Sequence, residues 1–146
     1  MIDSRTAPYA VLLLRLTLGA LAIAHLYWKF YVLPGGLGAW WTNLNMQGYP
    51  DPVVYYVLSG EFAGAILLIP GVLTRWVALY CLPLMLGAAQ YWIGRKGFFF
   101  VYAGAEMPLL WSVALLAQAM LGDGAYALVP SSRLTEMLVK RRAAHA

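Results

Sequence analysis

Five side chains place a charge or an imidazole inside otherwise apolar stretches: Arg15, His25, Lys29, Glu61 and Glu106. An ionised group at the centre of a membrane helix costs roughly 2.5–3.5 kcal/mol on insertion scales, so each one needs a partner or a use. Together they offer proton exchange with, and hydrogen bonding to, the polar head of a lipophilic ligand, with Glu61, His25 and Glu106 as the catalytic candidates. Arg15, Gly19, Ala22, His25 or Leu26, and Lys29 recur at spacings of three and four, which makes one helix stripe directed at neighbouring helices. Glu61 falls roughly 12 Å into a helix entered from the opposite end, at ~1.5 Å per residue, and Arg15 lies at a comparable depth from the other face. Two readings of Glu61 stand open: a structural ion pair with Arg15, or a proton-accepting or ligand-binding carboxylate restrained by that arginine. Lys29 is either an amine reaching to the interface or a ligand contact. His25 is either a packed ring or a functional imidazole, and Glu106 either a proton relay or a solvated carboxylate at the positive end of its helix.

The surroundings of these groups carry further signals. Gly60 and Gly64 flank Glu61 in a G-x-x-x-G pattern, which lets a neighbouring backbone or a flat ligand come close. Gly104-Ala105-Glu106 echoes Ser59-Gly60-Glu61, so two carboxylates enter from the same side, a hint of duplication. Trp40, Trp41, Tyr49, Tyr91 and Trp92 suit an aromatic belt, while Trp41 and Tyr91 are also candidate ligand contacts together with Arg15, Lys29, Gly60 and Gly64. The stretch 33–50 combines Pro34-Gly35-Gly36 with Trp40-Trp41, Asn43 and Asn45, and such a loop can fold back over the mouth of a bundle and close a pocket.

The elements that must position these residues follow from composition. Of 146 residues 62% are hydrophobic and 11% charged, with a mean hydropathy of +0.69, which is too apolar for a soluble domain. A span needs about 20 apolar residues, and four stretches qualify, at about 9–31, 53–70, 76–93 and 104–121. The expected fold is all-α, an integral membrane four-helix bundle forming a single domain over 1–146. The first stretch reads as an uncleaved helix rather than a signal peptide, because Arg15 interrupts its apolar run and its length suits a span. Lys and Arg number six on the terminal side against three on the other, which predicts cytoplasmic termini. Leu134, Met137 and Leu138 with Lys140-Arg141-Arg142 suggest an amphipathic helix on anionic lipid over 131–142, or else a solvated tail. Nucleic-acid binding is not needed to account for the net charge of +4.

The inventory excludes several chemistries. The single cysteine, Cys81, forms no intramolecular disulfide and reads as packing. Two histidines, His25 and His145, build neither a bis-histidine haem nor a histidine-rich metal site in one subunit. Any redox chemistry therefore uses an organic carrier or a partner protein.

Several pieces, in combination, resemble the DoxX-like family of small four-helix bacterial membrane proteins. They are Leu14-Arg15-Leu16 with Gly19, the His25 to Lys29-Phe30 ending, Gly60-Glu61-Phe62-Ala63-Gly64, and Pro70-Gly71-Val72-Leu73-Thr74-Arg75. Gly97-Phe98-Phe99, Glu106-Met107-Pro108-Leu109-Leu110 and Leu121-Gly122-Asp123-Gly124 complete the set, which covers nearly the whole chain. The resemblance implies a bacterial inner-membrane location and a connection to redox or quinone chemistry, since some members are linked to thiosulfate oxidation with quinone as acceptor or to oxidative-stress complexes. One departure is that His25 is followed by Leu26, where the family pattern commonly has glycine, which narrows the space beside the imidazole. The combined expectation is a redox-linked membrane protein holding a quinone-like ligand in an outward-open polar pocket, with lipids, a redox partner or a second copy as partners. The alternative is a non-catalytic membrane subunit or scaffold for a partner enzyme.

Overall fold

The computed structural model describes residues 3–144, with side chains described through Met137. The cluster Lys140-Arg141-Arg142, on which the lipid-binding reading of the tail rests, lies outside the described side chains, and His145 lies outside the described residues. The chain is all-α. Helix α1 (Ala7–Tyr27) continues into a π-helical segment, Trp28–Val32. A short helix α2 (Gly36–Met46) occupies the expected loop, and α3 (Asp51–Ala63) again continues into a π segment, Gly64–Leu68. Then come α4 (Thr74–Lys96), a 3₁₀ turn at Phe100–Tyr102, α5 (Glu106–Leu121) and α6 (Ser131–Ala144). Three helical stretches, Ala7–Val32, Asp51–Leu68 and Thr74–Lys96, are long and apolar enough to cross a membrane. The fourth expected span is shorter. Helix α5 has 16 residues, about 24 Å at ~1.5 Å per residue, because Phe98–Tyr102 is folded into an exposed apolar turn instead of extending it.

Lipid tails are as apolar as leucine, so burial alone does little to hold helices together in a bilayer, and close backbone approach and polar contacts must set their register. Between α1 and the α3 stretch the approach is made by small residues. A Cβ on Gly19 would lie 2.6 Å from Ile69 Cγ1, and one on Gly64 would lie 3.2 Å from the Cβ of Ala22. The two helices run antiparallel, so the pairs 19/69 and 22/64 bring the end of α1 onto Glu61. Buried Leu18, Leu68, Val77, Ala78, Cys81, Leu84, Met85, Leu115 and Ala119 form the core between the four long helices.

At the end of the bundle where α1 begins, here the proximal end, a second polar assembly replaces apolar packing. The segment 122–130 lies across the start of α1 and the turn before α4. Ala125 N donates to Pro8 O at 3.0 Å, Leu128 N to Pro70 O at 3.1 Å, and Val72 and Val129 pair as an isolated bridge. The Asp123 carboxylate accepts from Thr74 N at 3.2 Å, Ser131 N at 2.9 Å and Ser131 Oγ at 2.6 Å, and so caps the first turns of both α4 and α6. The Arg15 guanidinium, 1% exposed, donates to the backbone carbonyls of Asp123 and of Ala125, the latter at 3.3 Å. Gly71, with φ of +74°, passes directly beneath that guanidinium, and a Cβ there would collide with it and with Ala127 Cα.

Asp123→Ala removes the acceptor of two helix N-termini at once. It is expected to lower the unfolding free energy by about 2–4 kcal/mol, two cap losses of ~1–2 kcal/mol each, read by denaturant titration in bicelles. The segment after Gly122 is expected to become the first site of proteolysis.

Candidate functional site

Toward the distal end, the close packing of α1 on α3 brings two ionisable residues together in the protein interior. Lys29, in the π segment Trp28–Val32, donates through Nζ to Oε1 of Glu61. The two are 4% and 5% exposed. The π geometry belongs to the placement. At Trp28–Val32 the backbone closes with Leu33 N bonded to Trp28 O at 2.9 Å, and a second π segment, Gly64–Leu68, begins three residues after Glu61. Each widened turn re-aims the residues beside it, as π-bulges do at functional sites. From the distal side, Trp40 of α2 covers the amine, with its ring centroid 4.4 Å from Nζ.

The expected stripe on α1 is buried at Arg15, Gly19, Ala22, Leu26 and Lys29, and between the two alternatives at its fourth position the fold buries Leu26 and leaves His25 on the membrane-facing flank. His25 is 52% exposed at its side chain, stacks on Trp111 of α5 with centroids 4.9 Å apart, and holds Nδ1 3.6 Å from Glu61 Oε1. The imidazole thus stands between the membrane side and the buried carboxylate. Below Glu61 lies a cavity of about 20 Å³ lined by residues of all four long helices, among them Ala22, Gly64, Cys81, Trp111 and Leu115.

Several expectations change. The Arg15–Glu61 ion pair does not form: α1 with its π segment outruns the second stretch, so Arg15 lies level with Gly71 rather than Glu61, about 21 Å along the helix from Lys29 at ~1.5 Å per residue. Lys29 does not reach up to the interface but turns inward to Glu61. Glu106 stands apart from the site, with Oε2 accepting from Phe100 N at 2.9 Å and closing the turn ahead of α5. Trp41 donates from Nε1 to Asp51 Oδ1 at 2.9 Å, and Tyr91 packs against Tyr49 and Trp92 beneath Arg95, so neither faces Glu61. Gly60 and Gly64 both line the cavity, where Leu84 and Ala22 fill the space their side chains would take. On the distal side, where an outward-open pocket is expected, Trp40 of α2 lies over the Lys29 amine.

Residues 10–102 match the DoxX family. The chain belongs to the DoxX family. No curated protein and no solved structure matches it. The matched span contains Arg15, His25, Lys29 and Glu61, and ends ahead of α5, so Trp111, Glu106 and the Asp123 cap lie outside it. With apolar helices long enough to cross a bilayer, this DoxX-family chain is a multi-pass membrane protein. Sequence reasoning placed Trp40 in a segment able to fold over the bundle mouth, but did not select Trp111 or Cys81 as neighbours of the site. Trp40 required the helix inside 33–50, and Trp111 the packing of α5 against α1. A tryptophan on the span after Glu106, away from either helix end, was the one available signal.

Breaking a buried ion pair strands a charge and costs about 3–5 kcal/mol, whereas removing both partners leaves none stranded. Lys29→Met is expected to lose about that much unfolding free energy, and Lys29→Met with Glu61→Leu to recover most of it, as measured by denaturant titration in bicelles. Arg15→Leu and Glu61→Leu, by contrast, should add to within about 0.5 kcal/mol, since the sites share no partner.

Proposed function

We propose that this DoxX-family protein is a bacterial inner-membrane protein, with both termini cytoplasmic, that binds the polar head of a quinone-like lipophilic ligand on the membrane-facing side of the Lys29–Glu61 pair. The observation that carries the reading is His25: an imidazole half exposed on the flank of a membrane helix, 3.6 Å from a buried carboxylate that is itself held by a lysine. The interior cavity beneath Glu61, about 20 Å³, is too small for a quinone ring. The head must therefore approach laterally, along the face where His25 stacks on Trp111, with its tail remaining among the lipids. There His25 offers a hydrogen bond or a proton to a carbonyl oxygen, Glu61 accepts from and orients the imidazole, and Lys29 keeps the carboxylate in place. A quinone supplies two-electron, two-proton redox chemistry when bound. Among the described residues none of the side chains is an electron carrier, so a partner redox protein is part of the proposal.

A second reading, a scaffold subunit with no ligand, is favoured by the Lys29–Glu61 contact itself, because a carboxylate already paired and enclosed has one of its oxygens satisfied without a ligand. The two are separated by organic extracts of protein purified in native-lipid discs, examined by mass spectrometry beside a control membrane protein of similar size. The quinone reading expects a stoichiometric quinone in the wild type, lost in His25→Ala and Glu61→Gln and retained in Tyr91→Phe and Glu106→Gln. Bulk phospholipid alone in every sample overturns it in favour of the scaffold.

A further inference from the structure

The turn between α4 and α5, at the distal end of the bundle, carries its apolar side chains outward. Phe98, Phe99, Phe100, Val101 and Tyr102 follow one another, each between 47% and 69% exposed. An apolar patch of this kind marks a contact with lipid or with another protein. The backbone beneath it favours lipid. The N–H groups of Tyr102, Ala103, Gly104, Ala105 and Glu106 donate to the carbonyls of Gly97, Phe98, Phe99 and Phe100 at 2.8–3.1 Å. Phe100 N donates to the Glu106 carboxylate at 2.9 Å. The chain is folded so closely that a Cβ on Gly104 would lie 2.5 Å from Gly97 O and 2.6 Å from Phe98 O. Six N–H groups are thus closed inside, beneath the outward side chains. An irregular segment needs this where water is scarce, whereas a loop in water can leave its backbone to the solvent.

We infer that the turn 97–104 is a preassembled lipid-binding wedge, which seats its apolar side chains among the acyl chains of the distal leaflet at their boundary with the headgroups. Two further observations favour that occupant. Helix α5, with 16 residues, is about 24 Å long at ~1.5 Å per residue, short of the roughly 30 Å hydrocarbon core, and the turn continues the apolar surface at the end where helix is missing. Arg95 and Lys96 close α4 directly before the turn, where cations at a helix end reach the lipid phosphates. Glu106, which stands apart from the His25 site, has its use here as the acceptor that closes the turn. Because α5 begins at Glu106, the wedge sets the depth of that helix. With it goes Trp111, about 7.5 Å farther along at ~1.5 Å per residue. The wedge does not depend on what binds at His25.

The test is paramagnetic broadening of valine methyl signals, measured by NMR on the wild-type full chain in lipid nanodiscs. The Val101 signal is identified by its disappearance in Val101→Ile, a substitution at an exposed position that serves only for assignment. Two agents are compared, a phospholipid carrying a nitroxide just below its headgroup and a gadolinium chelate dissolved in the water. Val113, 65% exposed midway along α5 and assigned in the same way, is the lipid reference, and free valine added to the sample is the water reference. The lipid nitroxide is expected to broaden Val101 at least as strongly as Val113, and the chelate to broaden it far less than free valine. Broadening by the chelate at the level of free valine places the turn in water and overturns the inference. Protection from both agents overturns it as well, since a second copy or another protein then covers the turn.

Discussion

Two opposite charges carried into the interior of a membrane bundle have to meet, because either one alone would be left without a partner where water is scarce. Lys29 and Glu61 meet that requirement, and much of the architecture around them follows from it. Their pairing sets which residues of α1 face which residues of the α3 stretch, and Gly19, Ala22 and Gly64 allow the backbones to come close enough for the pair to form. The π segments that hold Lys29 and follow Glu61 interrupt the regular turn at the places where regular helix would aim the side chains elsewhere. Helix α2, lying over the distal end, supplies the Trp40 ring that takes the remaining face of the amine.

The proximal end is governed by the same need, met differently. Arg15 is as little exposed as Lys29, but its guanidinium is received by backbone carbonyls of the segment 122–130 rather than by a carboxylate side chain. The one carboxylate nearby, Asp123, is occupied in capping α4 and α6. The molecule therefore has two polar anchors at opposite ends of α1 with an apolar core between them. Among the described residues, each anchor leaves one buried polar atom unpartnered, Nε of Arg15 and Oε2 of Glu61, and the two differ in their partners. At Arg15 two of the guanidinium nitrogens are engaged by backbone carbonyls. At Glu61 one carboxylate oxygen takes the Lys29 amine, and an imidazole stands 3.6 Å from that oxygen.

In the proposed reading the site is reached from the membrane: His25 beside Trp111 is its exposed part, and Trp40 lies over the Lys29 amine. The reading of this DoxX-family chain as a partner for a lipophilic molecule rests on that direction of access, and it differs from a pocket open to the periplasm in the kind of molecule that can reach it.

How much of this was legible depended on whether periodicity or depth carried the information. The apolar stretches, their breakers and the stripe Arg15–Gly19–Ala22–Lys29 were present in the sequence as lengths and spacings, and helix geometry converts those into elements and faces without reference to anything distant. The family, too, was legible, because the residues that carry it lie in short local patterns. The partner of Glu61 was not. Arg15 and Lys29 share one stripe, and choosing between them required the relative height of two antiparallel helices, which depends on two π turns and on the fold of the segments at both ends. The helix within 33–50, with its Gly-rich start, read as a loop able to fold over the bundle mouth, and which of its tryptophans meets the amine was not legible. The sequence by itself determined an all-α membrane chain and named the charged residues that had to be satisfied. Only the tertiary structure decided which charge satisfies which, because a buried charge selects its partner by proximity across helices, and proximity across helices is not written in the spacing along any one of them.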